Sequence, residues 1–319
     1  MQLTGIHHLT AVSADIRANH RFYTSTMGMR LVKRSVNQDD TSAYHLFYAD
    51  AAGSPGTDLT FFDWSVPRER RGTRAVVESG LRVGSAASLE WWRTHLAAHG
   101  VTHGDIVERD GRCTLSLEDG EGMRLRLVDD SGLGDAPVIW KGSTVPAEHQ
   151  IRGLGPIVMS VPELARTDLV LQKVMGLRVV RTYPMPGAPK DTVHVYAMGE
   201  ASQDGAHAEL HVAVQPGTAV TQPGAGGVHH VAFRVPDADY DAWAAHLQDV
   251  GMPNSGPVDR FWFRSLYFRE PNGVLFEIAT DGPGFAVDES VETLGEKVVL
   301  PPFLEHDRER IVSRLTPID

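Results

Sequence analysis

The segment MGMRLVK at residues 27–33 recurs as MGLRVVR at residues 175–181, 148 positions later. A second pair, WRTHLAAHGV at 92–101 and WAAHLQDVGM at 243–252, is separated by 151 positions. Self-similarity at a fixed spacing is the signature of a repeated architecture. We therefore expect the two halves of this 319-residue chain to follow one structural plan.

Each half divides again into two βαβββ modules. A module opens with a short strand such as 229–235, continues with an amphipathic helix such as 239–250, and ends with three strands separated by turn signals. We predict four modules that open near residues 5, 76, 153 and 227. The predicted boundaries are an N-terminal half at 1–141, a linker at 142–152, a C-terminal half at 153–282 and a C-terminal tail at 283–319 that packs on the body.

A lone βαβββ module leaves the concave face of its curved sheet unfilled. Two modules must close against each other to cover that face, and the cavity between them is where chemistry would take place. The predicted fold class is therefore α+β, with four modules that form two curved-sheet half-barrel pairs.

Composition narrows the function classes. The net charge of -11 argues against a nucleic-acid partner, since a polyanion needs a basic face. No stretch approaches the roughly 20 apolar residues that cross a bilayer, and no signal peptide is evident, so we expect no membrane partner. Cys113 is the single cysteine, which fits a reducing cytoplasm. Assembly into a homo-oligomer stays open.

Three residues with metal-ligand chemistry fall on predicted strands. His8 lies on the first strand of module 1, His230 on the first strand of module 4, and Glu277 on its last strand. Side chains alternate faces along a strand, so Phe276 and Ile278 face the helix side while Glu277 faces the cavity. A carboxylate there is costly to bury unless it is paired or binds a metal. We therefore predict a His8, His230 and Glu277 site, with modules 1 and 4 facing each other around the metal.

The repeat supplies an internal control. The positions equivalent to His8, His230 and Glu277 hold Pro156, Ser79 and Arg126, so the ligand-type residues are not a requirement of the fold. His45 and His211, on other predicted strands, are the runner-up ligands.

Two histidines and one carboxylate leave about three coordination positions open on an octahedral ion. That arrangement is typical of Fe(II) in oxygen chemistry, and Mn(II) is chemically close. Zn(II) or Ni(II) would suit an isomerase instead. We therefore expect Fe(II) as the cofactor.

Several stretches carry a resemblance that covers essentially the whole chain. With the fourfold module, they resemble the vicinal-oxygen-chelate superfamily of glyoxalases, bleomycin resistance proteins and extradiol dioxygenases. Within it the chain is most similar to hydroquinone ring-cleaving dioxygenases of the dichlorohydroquinone 1,2-dioxygenase type. The matching stretches are LTGIHHLT at 3–10, YHLFYAD at 44–50, SLEWW at 88–92, GVHHVAF at 227–233 and NGVLFE at 272–277.

The resemblance implies roles for further residues. In the family, the second histidine of each His-His pair and the last-strand glutamate bind the metal, which agrees with the ligands predicted above. Arg260 and Tyr267 match an arginine and a tyrosine of the pocket, where they would hold an anionic oxygen and position the substrate or donate a proton. His7 and His229 match positions that assist the site, and Thr10 matches a pocket position. An ion pair for Arg260 and strand packing for Tyr267 stay open as ordinary structural roles.

The implied activity is that of a non-haem metal-dependent ring-cleaving dioxygenase, an oxidoreductase that acts on hydroquinone-type or catechol-type aromatic diols with O2 in aromatic compound degradation. Two alternatives stay open. A glyoxalase-like metal-dependent isomerase or lyase shares the fold but needs no oxygen, and a resistance protein would sequester a ligand without a metal triad. We expect loops 68–74 and 184–189 to shape the pocket.

Overall fold

The computed structural model describes residues 1–200 and 205–318. Over these residues the chain forms sixteen strands and five α-helices. The four predicted modules are present, and each opens with a long strand. These opening strands are Gly5–Ser13 (β1), Ala75–Val83 (β5), Gly153–Val161 (β9) and Val228–Val235 (β13).

Three further strands complete each module. In module 1 they are Arg30–Val36 (β2), Tyr44–Ala49 (β3) and Asp58–Asp63 (β4), and in module 2 they are His103–Arg109 (β6), Arg112–Glu118 (β7) and Arg124–Asp129 (β8). In module 3 they are Arg178–Met185 (β10), Ala188–Ala197 (β11) and Glu209–Val214 (β12), and in module 4 they are Val258–Asp259 (β14), Arg264–Arg269 (β15) and Leu275–Thr280 (β16).

One helix lies between the first and second strands of each module, and a fifth lies in the tail. The helices of modules 1 and 3 continue directly into one wider π-helical turn, at Phe22–Thr26 and Val170–Val174. The α-helices are Ile16–Arg21 (α1), Ala86–Ala98 (α2), Ala165–Leu169 (α3), Tyr240–Asp249 (α4) and Arg308–Val312 (α5).

The modules pair across the two halves of the sequence. Sheet 1 has the strand order β14-β15-β16-β13-β1-β4-β3-β2, and sheet 2 has the order β10-β11-β12-β9-β5-β8-β7-β6. Modules 1 and 4 therefore share sheet 1, and modules 2 and 3 share sheet 2, which confirms the predicted partnership. In sheet 1 the join is the antiparallel pair β1 and β13, where Thr10 lies opposite His230.

The helices cover one face of each sheet. Trp243 and Leu247 of α4 are buried in the same apolar cluster as Phe276 and Ile278 of β16. The helix is followed by Gly251, whose φ of +68° suits a residue without a Cβ at a helix C-terminus. Because alternate strand residues pack under the helices, the intervening residues point to the concave face.

The tail adds to the same core. A 3-10 segment at Pro302–Asp307 leads into α5, and the buried side chains of Ile311 and Leu315 join the main apolar cluster. The α-helical part spans only five residues, and Ile311 is the residue of α5 that it buries. Within the described ranges, no helix has the length and apolar character needed to cross a membrane.

Candidate metal centre and aromatic pocket

Three adjacent strands of sheet 1 bring His8, His230 and Glu277 together on its concave face. His8 Nε2 lies 3.1 Å from Glu277 Oε2, and His230 Nε2 lies 2.9 Å from the same oxygen. The two Nε2 atoms are 3.3 Å apart. All three side chains are buried, so the predicted constellation is assembled inside the protein.

The donor atoms have the spacing of ligands on one metal ion. Neighbouring ligands of an octahedral ion with bonds of about 2.1 Å lie roughly 3.0 Å apart. Glu277 Oε1 accepts a hydrogen bond from Ser265 Oγ, whereas buried Oε2 receives no well-formed hydrogen bond from the described residues. Burial alone would raise the pKa of Glu277, but His8 and His230 outweigh it and hold the pKa well below its usual range. A divalent cation would complete this arrangement.

His7 determines which nitrogen of His8 is free. His7 Nε2 lies 3.0 Å from the carbonyl oxygen of Thr280, and His7 Nδ1 lies 2.9 Å from His8 Nδ1. Burial, with help from His8, lowers the pKa of His7 to about 3, so His7 is neutral. A carbonyl can only accept, so the single proton of His7 is on Nε2 and His8 Nδ1 must donate to His7 Nδ1. When His8 carries a single proton, as a metal ligand must, its Nε2 therefore has a lone pair that faces the centre.

His229 and His230 form the same Nδ1 to Nδ1 contact, but among residues 1–200 and 205–318 no carbonyl oxygen holds the outer nitrogen of His229. His229 Nδ1 lies 2.8 Å from His230 Nδ1, and burial lowers the pKa of His229 to about 3. The His229 ring packs edge-on against Phe62 and Trp64 and borders a separate cavity of about 240 Å³. His229 therefore supports the outer nitrogen of His230.

Thr10 stands beside the centre and begins a chain of polar side chains. Its Oγ1 lies 3.0 Å from His230 Nε2 and 2.8 Å from Thr60 Oγ1. Thr60 Oγ1 in turn lies 2.9 Å from His45 Nε2. His45, the first runner-up ligand, is thus separated from the three donor atoms by two hydroxyl groups.

A cavity of about 40 Å³ opens in front of the centre. This volume is well below the roughly 300–1,000 Å³ of typical ligand pockets, so binding of an aromatic ring requires lining side chains to move. The mouth is formed by residues 37–39. The aromatic walls are Phe47, Phe62, Trp262 and Phe263.

Arg260 and Tyr267 lie together at this cavity, as the resemblance implied. Arg260 Nε donates to Tyr267 Oη at 3.2 Å, and Arg260 Nη2 lies 2.9 Å from Asp39 Oδ2. Tyr267 is opposite Glu277 in the sheet register, and burial together with Glu277 raises its pKa, so it is a proton donor at neutral pH. Arg260 therefore has both an ion-pair partner and a position at the pocket.

The second runner-up ligand, His211, lies in sheet 2. It forms a group with Asp110 and Glu209, and its Nε2 is 3.0 Å from Glu209 Oε2. Arg112 and Arg181 pair with these carboxylates, at 2.7 Å to Glu209 and 2.5 Å to Asp110. Two guanidinium groups already supply the positive charge that a metal would bring, so this group is an ion-pair cluster.

The prediction that loops 68–74 and 184–189 shape the pocket is wrong. Residues 68–74 connect modules 1 and 2 and pair with residues 220–225, and residues 184–189 join β10 to β11 in sheet 2. Neither loop lines the cavity, whose mouth comes from residues 37–39 and whose side comes from residues 260–263. Which loop reaches a site depends on strand order, and that order is a property of the closed sheets.

Sequence reasoning also missed the aromatic walls, although a signal for two of them exists. Phe47 shares a strand face with His45, and Phe62 shares one with Thr60, because alternate residues of a strand point the same way. Extending the face argument from the ligands to the neighbouring strands would have found both. Asp39 lies outside the strands and carries no comparable signal.

Comparison with known proteins agrees with the fold and the site geometry. Residues 5–127 and 153–278 match the profile of the Glyoxalase/Bleomycin resistance protein/Dioxygenase superfamily. The chain belongs to this superfamily. The two matched ranges correspond to the two halves of the repeat.

Full-length relatives of this superfamily member are named as ring-cleaving enzymes. The chain is 43% identical to the "Putative ring-cleaving dioxygenase MhqA" of Bacillus subtilis, over 100% of both chains. It is 30% identical to the chlorohydroquinone/hydroquinone 1,2-dioxygenase of Sphingobium indicum, over 98% of this chain and 96% of the relative. A crystal structure of a "putative dioxygenase" from Bacillus subtilis superposes with a TM-score of 0.89 at 31% identity, over 100% of this chain and 98% of that one.

Proposed function

We propose that the protein is a metal-dependent ring-cleaving dioxygenase that acts on hydroquinone-type aromatic diols with O2, with Fe(II) as the metal. The observation that carries the proposal is the buried group of His8, His230 and Glu277, whose three donor atoms lie about one ligand spacing apart beside an aromatic-walled cavity. The names of full-length relatives support the reaction class.

The protein's own side chains would hold the metal and prepare its ligands. His8 and His230 would contribute Nε2 and Glu277 would contribute Oε2, while the His7 contact keeps the proton of His8 on Nδ1. When bound, an Fe(II) ion would supply open coordination positions for the diol and O2 and a route for electrons between them.

The pocket residues would bind and orient the diol. Phe47, Phe62 and Phe263 offer flat apolar surface for the ring and exclude water around it. The Arg260 guanidinium would compensate the charge of a deprotonated ring oxygen, and the protonated Tyr267 hydroxyl would donate a hydrogen bond to a substrate oxygen.

The test is anaerobic loading of metal-free protein with Fe(II), Mn(II) or Zn(II), followed by oxygen uptake with hydroquinone and with catechol. We expect uptake with hydroquinone and Fe(II), and none for the Glu277→Ala variant. Glu292→Ala, which removes an exposed carboxylate, is the matched control and should behave as wild type. Oxygen-independent turnover of a glutathione adduct with Zn(II), and no oxygen uptake with any metal, would show an isomerase instead.

A further inference from the structure

His45 is a polar residue inside the aromatic part of the pocket. It lies on β3 and lines the cavity in front of the centre. Its ring is held between two phenylalanine rings, with centroid distances of 4.0 Å to Phe47 and 4.4 Å to Phe62. Neither the ligand set nor the pocket residues implied by the family resemblance account for this histidine.

One nitrogen of the His45 ring, Nε2, has a hydrogen-bond partner, whereas the other, Nδ1, has none among the described residues. Nε2 lies 2.9 Å from Thr60 Oγ1, which is itself bonded to Thr10 Oγ1. The flanking phenylalanines and this contact together fix the ring orientation. Within residues 1–200 and 205–318, Nδ1 has no hydrogen-bond partner, although His45 borders the cavity.

The contact with Thr60 is compatible with an acceptor at the free nitrogen of His45. Burial, with smaller contributions from His8 and His230, lowers the pKa of His45 well below its usual value, so the ring is neutral. The hydroxyls of Thr10 and Thr60 can each donate and accept, so Thr60 Oγ1 can accept a hydrogen bond from His45 Nε2. With its single proton on Nε2, His45 presents Nδ1 as a hydrogen-bond acceptor.

Strand order separates His45 from the candidate metal ligands along the sheet. His45 on β3 is two strands away from His8 on β1, a separation of roughly 10 Å along the sheet. An ortho-diol has both hydroxyls on one edge of the ring and can present both to a single ion. A para-diol presents only one, and its second hydroxyl points to the opposite side of the pocket, where it needs a partner.

We propose that His45 selects para-diols, because its Nδ1 accepts a hydrogen bond from the ring hydroxyl that does not face His8, His230 and Glu277. This inference rests on the proposed function and names the substrate class of the same site. His45 is in this sense a positioning and specificity residue: it contacts the substrate at a distance from the bond that is cleaved.

Two substitutions of His45 test the roles of its two ring nitrogens separately. In His45→Asn the amide reaches the place of Nδ1, and in His45→Gln it reaches the place of Nε2. The experiment titrates the anaerobic Fe(II)-loaded proteins with hydroquinone, catechol and phenol and records binding calorimetrically, with metal content measured for each protein. His211→Gln, at a buried histidine of sheet 2 outside the pocket, is the control.

We expect wild type to bind hydroquinone about tenfold more tightly than phenol, which corresponds to about 1.4 kcal/mol and is the size of one hydrogen bond. His45→Gln should lose this preference, His45→Asn should keep most of it, and His211→Gln should keep all of it. Catechol affinity should be unchanged in all of them. KM for hydroquinone should rise with the loss of preference, while kcat changes less.

A purely structural role for His45 would weaken hydroquinone, catechol and phenol equally in both variants, and that result would overturn the inference. If wild type cleaves hydroquinone but His45→Gln keeps the wild-type preference, the inference alone fails. If wild type with bound Fe(II) neither binds a diol nor consumes oxygen, the proposed function fails and the inference falls with it.

Discussion

The Nδ1 atoms of His7 and His8 lie 2.9 Å apart, and Thr280 holds the other nitrogen of His7 through its carbonyl oxygen. A main-chain carbonyl therefore dictates, through one neutral ring, the tautomer of a candidate metal ligand. Loss of an outer contact of this kind typically lowers metal affinity or activity by about 10-fold to 100-fold.

The first prediction concerns metal affinity. His7→Phe keeps a buried ring but removes the acceptor for His8 Nδ1, so His8 is no longer held with its lone pair toward Glu277. We expect Fe(II) or Mn(II) affinity to fall by about 10-fold to 100-fold. Competition with a chelator measures it, and His99→Phe, at an exposed histidine, is the control that should match wild type. Unchanged affinity in His7→Phe would contradict the tautomer argument.

The second prediction concerns acid stability of the metal-free protein. The pKa of His7 falls from 6.5 in the unfolded chain to about 3 in the folded protein, so between these values only the unfolded chain takes up the proton. This residue therefore lowers the free energy of unfolding as pH falls from 6.5 toward 3, by up to about 1.4 kcal/mol per pH unit. His7→Phe should flatten the slope by that amount in urea unfolding between pH 6.5 and 5. A slope identical to that of wild type would refute it.

The third prediction concerns the buried ammonium group of Lys33. Its Nζ lies 2.8 Å from Asp288 Oδ1 and also pairs with Glu289, and both carboxylates belong to the tail. Trp262 of the pocket wall donates to the other oxygen of Asp288. Lys33→Met leaves these carboxylates without their cation, and we expect a loss of about 3–5 kcal/mol in the free energy of unfolding.

Urea unfolding measures the effect of Lys33→Met, and limited proteolysis reports release of the tail. Arg310→Ala breaks an exposed ion pair with Asp307 and is the control, for which we expect a change of about 1 kcal/mol or less. Equal effects of the two substitutions would mean that the tail is not anchored through Lys33.

The fourth prediction concerns the ion pair at the mouth. The Asp39 side chain is 74% exposed and occupies Arg260, which the proposed function assigns to the substrate. Asp39→Asn should release the guanidinium, and since exposed pairs contribute about 0.2–1 kcal/mol, KM for hydroquinone should fall by up to about fivefold. The effect should shrink at high salt. Asp241→Asn, at another exposed aspartate paired with an arginine, is the control. A rise in KM would show that Asp39 itself supports binding.

Periodicity and alternation in the sequence predicted the modules and the candidate ligand set. The four modules are visible in the sequence because each must bury one apolar face. The same pattern of apolar residues therefore recurs in each module. His8, His230 and Glu277 could be predicted because strand alternation separates residues that pack under helices from those that face the cavity.

Only the tertiary structure determined which residues surround and support the candidate ligands. Asp39 pairs with Arg260, His45 lies two strands away from His8, and Asp288 accepts a hydrogen bond from Trp262, although these partners are far apart in the chain. The tautomer of His8 likewise depends on the Thr280 carbonyl. Local patterns report which face a residue takes, whereas hydrogen-bond partners and pocket walls depend on which strands become neighbours when the sheets close.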